Sequence, residues 1–239
     1  MASTFSSDLK LEIVATGEKA GLWGTITNTN LQILEQSASG YQEIDLAGAS
    51  VTLLLSDGAT SNGKNFYLKL SGTLAGDRTL TMPSGSERVW IISDETGRGT
   101  SNRTLSVLTA SGTSQPVPPG STLLCISDGT NTTTRIIEKG YATITDSNSP
   151  YAAVAGAQIF ANTTANPIEI DLPSSPAVGD EITIIDTRGT FNSNNLTIDR
   201  NGQPINSGTS NLVLSTNGQA ITLVYVDATR GWAFKTNTA

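Results

Sequence analysis

The sequence predicts an all-β protein: tandem β-sandwich or β-prism domains behind a small N-terminal segment that contains one short helix. Three observations lead there. Short apolar runs recur along the 239 residues and are broken by Gly, Ser, Asn and Asp, the punctuation of strands and turns. Charged residues make up 15% of the chain, against about 25% in an average domain, which argues against a coiled coil or a charged helical bundle. The chain also repeats itself. Leu80-Thr81-Met82-Pro83 matches Ile170-Asp171-Leu172-Pro173, and Val89 to Asp94 matches Ile182 to Asp186. Asn102 to Val107 matches Asn194 to Ile198, and Thr122 to Asp128 matches Thr222 to Asp227. The order is kept while the offset drifts from 90 to 100 residues. Two β-domains of one design follow, each large enough for a modest core.

Taken in order, residues 1–40 are expected to form a separate N-terminal module, to which the resemblance described below assigns attachment. Leu9 to Val14 alternates like a strand. Gly17, Gly21 and Gly24 then surround Trp23, and Asn28 to Ala38 can form a helix with Asn28 or Asn30 as its cap and Gly40 past its end. A helix that short needs a partner surface. Trp23 is expected to be buried against another chain or within this module. Trp23, Asn28, Asn30, Leu31 and Leu34 are therefore the candidate attachment or inter-chain contacts.

The first β-domain spans 41–139, with strands expected near 43–46, 50–55, 65–70, 78–82, 88–93, 103–109, 121–127 and 133–138. Asp57-Gly58, Gly63-Lys64 and Asp128-Gly129 are turn signals. The prolines of Gln115 to Gly120 mark a rigid loop. The second domain spans 140–239, with strands near 141–145, 157–160, 168–172, 181–186, 195–199, 211–215, 220–226 and 231–235. Ile182 to Ile185 and Leu223 to Val226 are apolar enough to be buried on both faces.

Composition removes several chemistries. The chain has no histidine, so Ser-His-Asp and Cys-His arrangements are impossible within it. Cys125 is its single cysteine and lies among strand formers, a buried structural thiol. No zinc set is visible. The net charge of −7, without a basic run, speaks against nucleic acid. No apolar run approaches the roughly 20 residues that cross a bilayer, and the first residues do not read as a secretory signal.

Gly58 to Asn65 is nearly a phosphate-binding loop, but Asn65 stands where Ser or Thr would hold magnesium and a strand pattern follows. It reads as a hairpin turn. Asp94, Asp128, Asp186 and Asp227 each end an apolar strand and are expected to close turns. Trp90 and Trp232 sit in strand-like segments and are expected to pack in cores. No carboxylate pair stands out for glycan hydrolysis, and no short coil repeat is visible. No catalytic residue, metal site or cofactor is expected, and the chain is read as not an enzyme.

Ser7 to Leu11, Thr16-Gly17-Glu18, Gly21 to Gly24, Thr27 to Leu31 and Leu34-Glu35 together resemble the N-terminal module of tail-fibre-like structural proteins of bacteriophages, marine and cyanobacterial ones especially. Ile170 to Pro173, Gly179 to Ile182, Asn194 to Ile198, Asn201-Gly202, Leu223 to Tyr225 and Gly231-Trp232 look like the distal β-domains of such fibres. The resemblance implies a homotrimeric virion protein, a short fibre or spike assembled in the host cytoplasm. It would join other virion proteins through its N-terminal segment and meet a host surface glycan or protein through its second domain. A head fibre or a capsid- or collar-decorating protein without receptor binding is the alternative. A glycan-degrading enzyme of the tailspike type is the alternative from another class.

Overall fold

The computed structural model describes residues 3–98 and 103–238. Met1, Ala2, residues 99–102 and Ala239 lie outside them, and with them Asn102, where one duplicated segment begins. Contacts divide the chain into two compact units. Residues 104–117 and 122–137 belong with the N-terminal part, whereas 118–121 belong with the C-terminal unit that resumes at Glu138.

Unit 1 opens with a small ladder, β1 (Thr4–Phe5) against β2 (Glu12–Ile13), and the helix α1 (Trp23–Ser39). The helix starts more than a turn earlier than the sequence suggested. Leu22 occupies the cap without a side-chain bond, so Asn28 and Asn30 are helix-interior residues rather than caps. Asn30 is drawn away by a tertiary bond. Its amide accepts from the Glu12 N–H at 3.0 Å and donates to the Glu12 carbonyl at 2.9 Å, tying β2 to the helix. Ile26, Thr29, Asn30, Ile33, Gln36 and Ser37 lie at helical spacing on the packed face, where Ile33 is fully buried. The helix ends where the Gly40 N–H donates to Gln36 O at 2.8 Å.

Six strands then alternate between two sheets: β3 (Tyr41–Asp45), β4 (Val51–Thr52), β5 (Tyr67–Ser71), β6 (Arg78–Met82), β7 (Glu87–Asp94) and β8 (Leu105–Thr109). β3, β5 and β7 pair in parallel in one sheet, and β4, β6 and β8 do so in the other. Each consecutive pair is thus one coil of a β-solenoid. The chain then reverses through β9 (Gln115–Pro116), β10 (Thr122–Asp128) and β11 (Thr132–Glu138). β9 pairs antiparallel with β8, and β10 pairs antiparallel with β7. The sheet orders are β11-β10-β7-β5-β3 and β4-β6-β8-β9.

Unit 2 repeats the plan. β12 (Ala142–Ile144) and β13 (Tyr151–Ala152), β14 (Gln158–Ala161) and β15 (Ile168–Asp171), and β16 (Glu181–Asp186) and β17 (Leu196–Asp199) make three parallel coils. β18 (Leu212–Leu214), β19 (Ala220–Asp227) and β20 (Gly231–Thr238) close them antiparallel.

The tandem β-sandwich or β-prism expectation is therefore wrong. The chain is all-β, but its strands form solenoid coils, three in each unit, with an antiparallel end. The strands stand close to their expected places, and the error lies in their pairing. Coil length is irregular: Tyr41 pairs with Tyr67 and Ala142 with Ile159, which makes coils of 26 and 17 residues. Such drift hides the period from the sequence. Side chains between the two sheets of each unit form its core. In β7, Arg88, Trp90, Ile92 and Asp94 alternate inward. Leu68, Leu80, Trp90, Val107 and Leu123 anchor the first core, and Ile159, Ile184, Phe191, Ile198 and Trp232 the second. β16 and β19 are accordingly buried on one face only, and Val226 is exposed.

Candidate functional site

The loop that approaches a phosphate-binding sequence is built for the opposite charge. It joins β4 to β5, which lie in different sheets, so it is a coil connection ending in a 3-10 turn at Asn62–Lys64 and not a hairpin. Its carbonyls point inward. The fully buried Lys64 ammonium donates to Ser56 O at 2.7 Å and to Ala59 O at 2.6 Å. A phosphate cradle needs converging N–H groups, whereas this loop encloses its own cation. Burial and the neighbouring Arg88 guanidinium lower the Lys64 pKa to about 8. Arg88 donates to Lys64 O at 2.9 Å and lies 5.5 Å from the Trp90 ring centroid, while Trp90 Nε1 donates to Gly63 O.

The four strand-end aspartates close turns. Asp128 accepts from the Thr130 and Asn131 N–H groups, and Asp227 from those of Thr229 and Arg230. These bonds hold both carboxyls below the usual carboxylate range. Asp94 accepts from the Thr96 N–H and hydroxyl. Asp186 is buried and receives the N–H groups of Arg188, Gly189, Phe191 and Gly218, which knit two loops together. Among the described residues no group of three or more His, Cys, Asp or Glu could hold a metal ion. Cys125 is fully buried, and desolvation pushes its thiol up to about 12, which leaves it inert as a nucleophile.

The N-terminal candidates divide. Trp23, Leu31 and Leu34 are 52%, 58% and 42% exposed, so Trp23 is not buried within its own module. With Thr27 and Ala38 they fall at i, i+4, i+8, i+11 and i+15, a single apolar stripe beside the packed face of α1. Asn28 is exposed and Asn30 is occupied by β2. One charge, Glu35, stands on the whole helix. Among the described residues no helix is long and apolar enough to cross a membrane.

The outer faces of the two five-stranded sheets are the surfaces that sequence reasoning missed. In unit 1, Tyr41, Tyr67, Ile91 and Leu124 pair in one row across four strands, beside the row Val89–Ile126. Tyr41 and Tyr67 stack with centroids 5.7 Å apart. Acids edge this patch: Glu87 opposite Asp128 at one end, and Glu43 and Glu95 around Lys69 at the other.

In unit 2, Gln158, Thr183, Thr222 and Thr236 form the row. The Thr183 and Thr222 hydroxyls are 3.0 Å apart. The neighbouring row contains Phe160, and Tyr141 stacks on it at 4.7 Å with 21° between the rings. Glu181 lies between two ammonium groups, at 2.5 Å from Lys235 and 3.7 Å from Lys139, and its carboxyl sits below the usual range because Lys235 donates to it. The sequence offered one signal for this face: threonines alternate with isoleucine or leucine in strands that otherwise read as apolar.

The parallel register also brings two carboxylates together, a pair that spacing could not reveal. Asp171 pairs with Asp199 on adjacent coils. Asp199 accepts from the Asn201 N–H and from Asn211 Nδ2. Burial, and secondarily Asp199, push the Asp171 carboxyl above its ordinary value.

No protein-family model and no curated protein matches the chain. Among solved structures, a chain described as "Structure of a chaperone-substrate complex" is similar over 82% of this chain and 32% of its own length, at 14% identity and a TM-score of 0.36. This chain thus spans about a third of that one, and a likeness so weak carries no argument about fold or function.

Proposed function

We propose that the chain is a structural bacteriophage virion protein, a short homotrimeric fibre or spike that displays β-domains for host-surface attachment. The observation that carries this reading is the apolar stripe of α1. Trp23, Leu31 and Leu34 present side chains worth about 1.5–3 kcal/mol each when fully buried, yet among the described residues all three stay about half exposed. A chain of net charge −7 meets its own copies best where charge is absent, and α1 carries a single charge in 17 residues. In this reading unit 1 assembles and docks to other virion proteins, unit 2 makes the host contact, and the protein acts in the virion after assembly in the host cytoplasm. It has no catalytic role. The sequence resemblance to phage fibre modules supports the same assignment. Multivalent display makes weak contacts useful.

The test is the molar mass of the full chain by light scattering after size exclusion. The expected mass is near three chains, falling to one for Leu31→Asp while the β-rich circular dichroism is retained. A wild-type monomer would overturn the self-assembling trimer and favour the decorating alternative, a subunit that assembles only on the particle. One observation favours a glycan-degrading enzyme, the Asp171–Asp199 pair on strands about 4.8 Å apart. Purified protein that shortens host polysaccharide, with Asp171→Asn inactive, would replace the display reading.

A further inference from the structure

We infer that the outer face of the five-stranded sheet in unit 2 binds a uronate-bearing polysaccharide, an inference that rests on the display reading and names its ligand class. Three features of that face converge. The first is a fixed aromatic platform. Tyr141 is 58% exposed, with one ring face lying on Phe160 at 4.7 Å, and Phe160 is held in register between Thr143 and Ile185. A ring already held in place loses little side-chain entropy when the apolar C–H face of a pyranose covers it.

The second is the row Gln158, Thr183, Thr222 and Thr236. It offers neutral donors and acceptors on adjacent strands about 4.8 Å apart, in an extended line that suits a linear glycan. The Thr183 and Thr222 hydroxyls bond each other, and each retains capacity for a further bond.

The third is charge. Lys139 and Lys235 both pair with Glu181, two ammonium groups to one carboxylate. Each ammonium has three donors, and the two side chains are 44% and 54% exposed. The cluster is a net cation on a chain of net charge −7, so its charge complements a carboxylate on the sugar. A second protein would want a wider apolar centre than one stacked ring pair beside threonines provides. The corresponding face of unit 1 supplies such a centre and lacks the polar row.

The probes are polygalacturonate, neutral dextran and dextran sulfate, each embedded in a native gel run with the full-length protein. The expected result is retardation by polygalacturonate but not by dextran. Tyr141→Ala should weaken it about tenfold with molar mass and thermal unfolding unchanged. Lys235→Gln should weaken it less and flatten its dependence on salt. Absence of retardation by polygalacturonate would overturn the inference. So would retardation by dextran sulfate and polygalacturonate alike that ignores Tyr141→Ala, because charge alone would then explain binding. A change of molar mass in Tyr141→Ala would make the face a contact between copies, and that also overturns it. A monomer that still binds polygalacturonate removes the trimer and keeps this site, whereas a trimer that does not bind does the reverse.

Discussion

Unit 1 and unit 2 share one coil plan and spend their outer sheet faces differently. At matching places on the sheet, unit 1 has Tyr67–Ile91–Leu124 and unit 2 has Gln158–Thr183–Thr222. The inward residues obey the same rule in both, because each core must be filled. The outward residues are free of that constraint and can diverge toward association in one unit and hydrogen bonding in the other. Their ends differ as well. Unit 1 wraps a loop around Lys64, whereas in unit 2 the segment around Pro204 lies against the start of β20 through the bond from the Trp232 N–H to Pro204 O.

That difference at the ends predicts the largest effect. Gly231 has φ +68, and a Cβ there would stand 1.8 Å from Pro204 O, a backbone atom. Gly72 in unit 1 has φ +93, and its Cβ would first meet the Asp45 side chain. Both substitutions strain the backbone, but only the first collides with main chain as its nearest neighbour. Gly231→Ala should cost about 3 kcal/mol or more and Gly72→Ala about 1–2 kcal/mol. Urea unfolding of the two variants measures the gap, and equal losses would show that the Pro204 segment yields easily.

The two buried tryptophans come next. Trp90 Nε1 donates to Gly63 O at 3.0 Å, while Trp232 Nε1 is buried without a partner among the described residues. Replacing either by Phe removes similar volume. Trp90→Phe also leaves a carbonyl short of its donor, and so should cost about 1 kcal/mol more than Trp232→Phe. Equal costs would mean that Gly63 O finds water instead.

Much of this was legible in the chain, and the failures share a cause. β6, β7, β10, β16 and β19 were readable because apolar side chains and turn residues are local signals. Asp94, Asp128, Asp186 and Asp227 were readable as turn closers for the same reason. Pairing direction is not local. Whether Tyr67 meets Tyr41 in parallel, or a hairpin neighbour in antiparallel, depends on where the connecting chain travels, and connections of unequal length leave no period to detect. β9 and β13, of two residues each, passed unnoticed. The N-terminal stripe was partly legible because Leu31 and Leu34 lie in a helical pattern, yet the helix start was misplaced because Asn30 bonds to Glu12 rather than to its own helix. The row of Gln158, Thr183 and Thr222 needed the register, so no reading of spacing could assemble it.

A smaller effect tests the two faces directly. Thr183→Val with Thr222→Val keeps shape and removes the hydroxyls, which should change stability by less than about 0.5 kcal/mol. It should nonetheless make unit 2 resemble unit 1, raising concentration-dependent association and abolishing polysaccharide retardation. Ile91→Thr with Leu124→Thr should lower association without adding retardation, since the ion cluster edging that face of unit 1, Lys69 between Glu43 and Glu95, has two carboxylates to one ammonium, the reverse of the cluster at Glu181. Both effects are read from molar mass against concentration and from the native gels. If neither pair moves association, the rows do not govern it.

The smallest effect is a difference in alkaline behaviour. Lys64, in unit 1, has its pKa lowered to about 8 by burial. Between that value and the ordinary lysine range the unfolded chain binds more protons than the folded one, so this group makes stability rise as pH increases through the window. Cys125, in the same unit, is raised to about 12 from 9.0. The unfolded thiol therefore ionises first, and stability falls as pH rises beyond about 9. Unit 1 should gain slightly from pH 8 to 9, stay nearly level up to about 10.5 while the two slopes oppose each other, and then lose. Unit 2 has no such buried lysine among its described residues, and its buried Tyr151, raised to about 12 from 10.0, gives only a loss above pH 10. Urea unfolding followed by tryptophan fluorescence separates the two, with Trp232→Phe leaving unit 1 as the reporter. Lys64→Met should erase the rise, and Cys125→Ala should delay the fall. A rise that survives Lys64→Met would have to come from another group, whereas no rise in the wild-type chain would mean that the carbonyls of Ser56 and Ala59 keep the ammonium charged well above pH 8, so that the loop holds its cation more tightly than burial alone would allow.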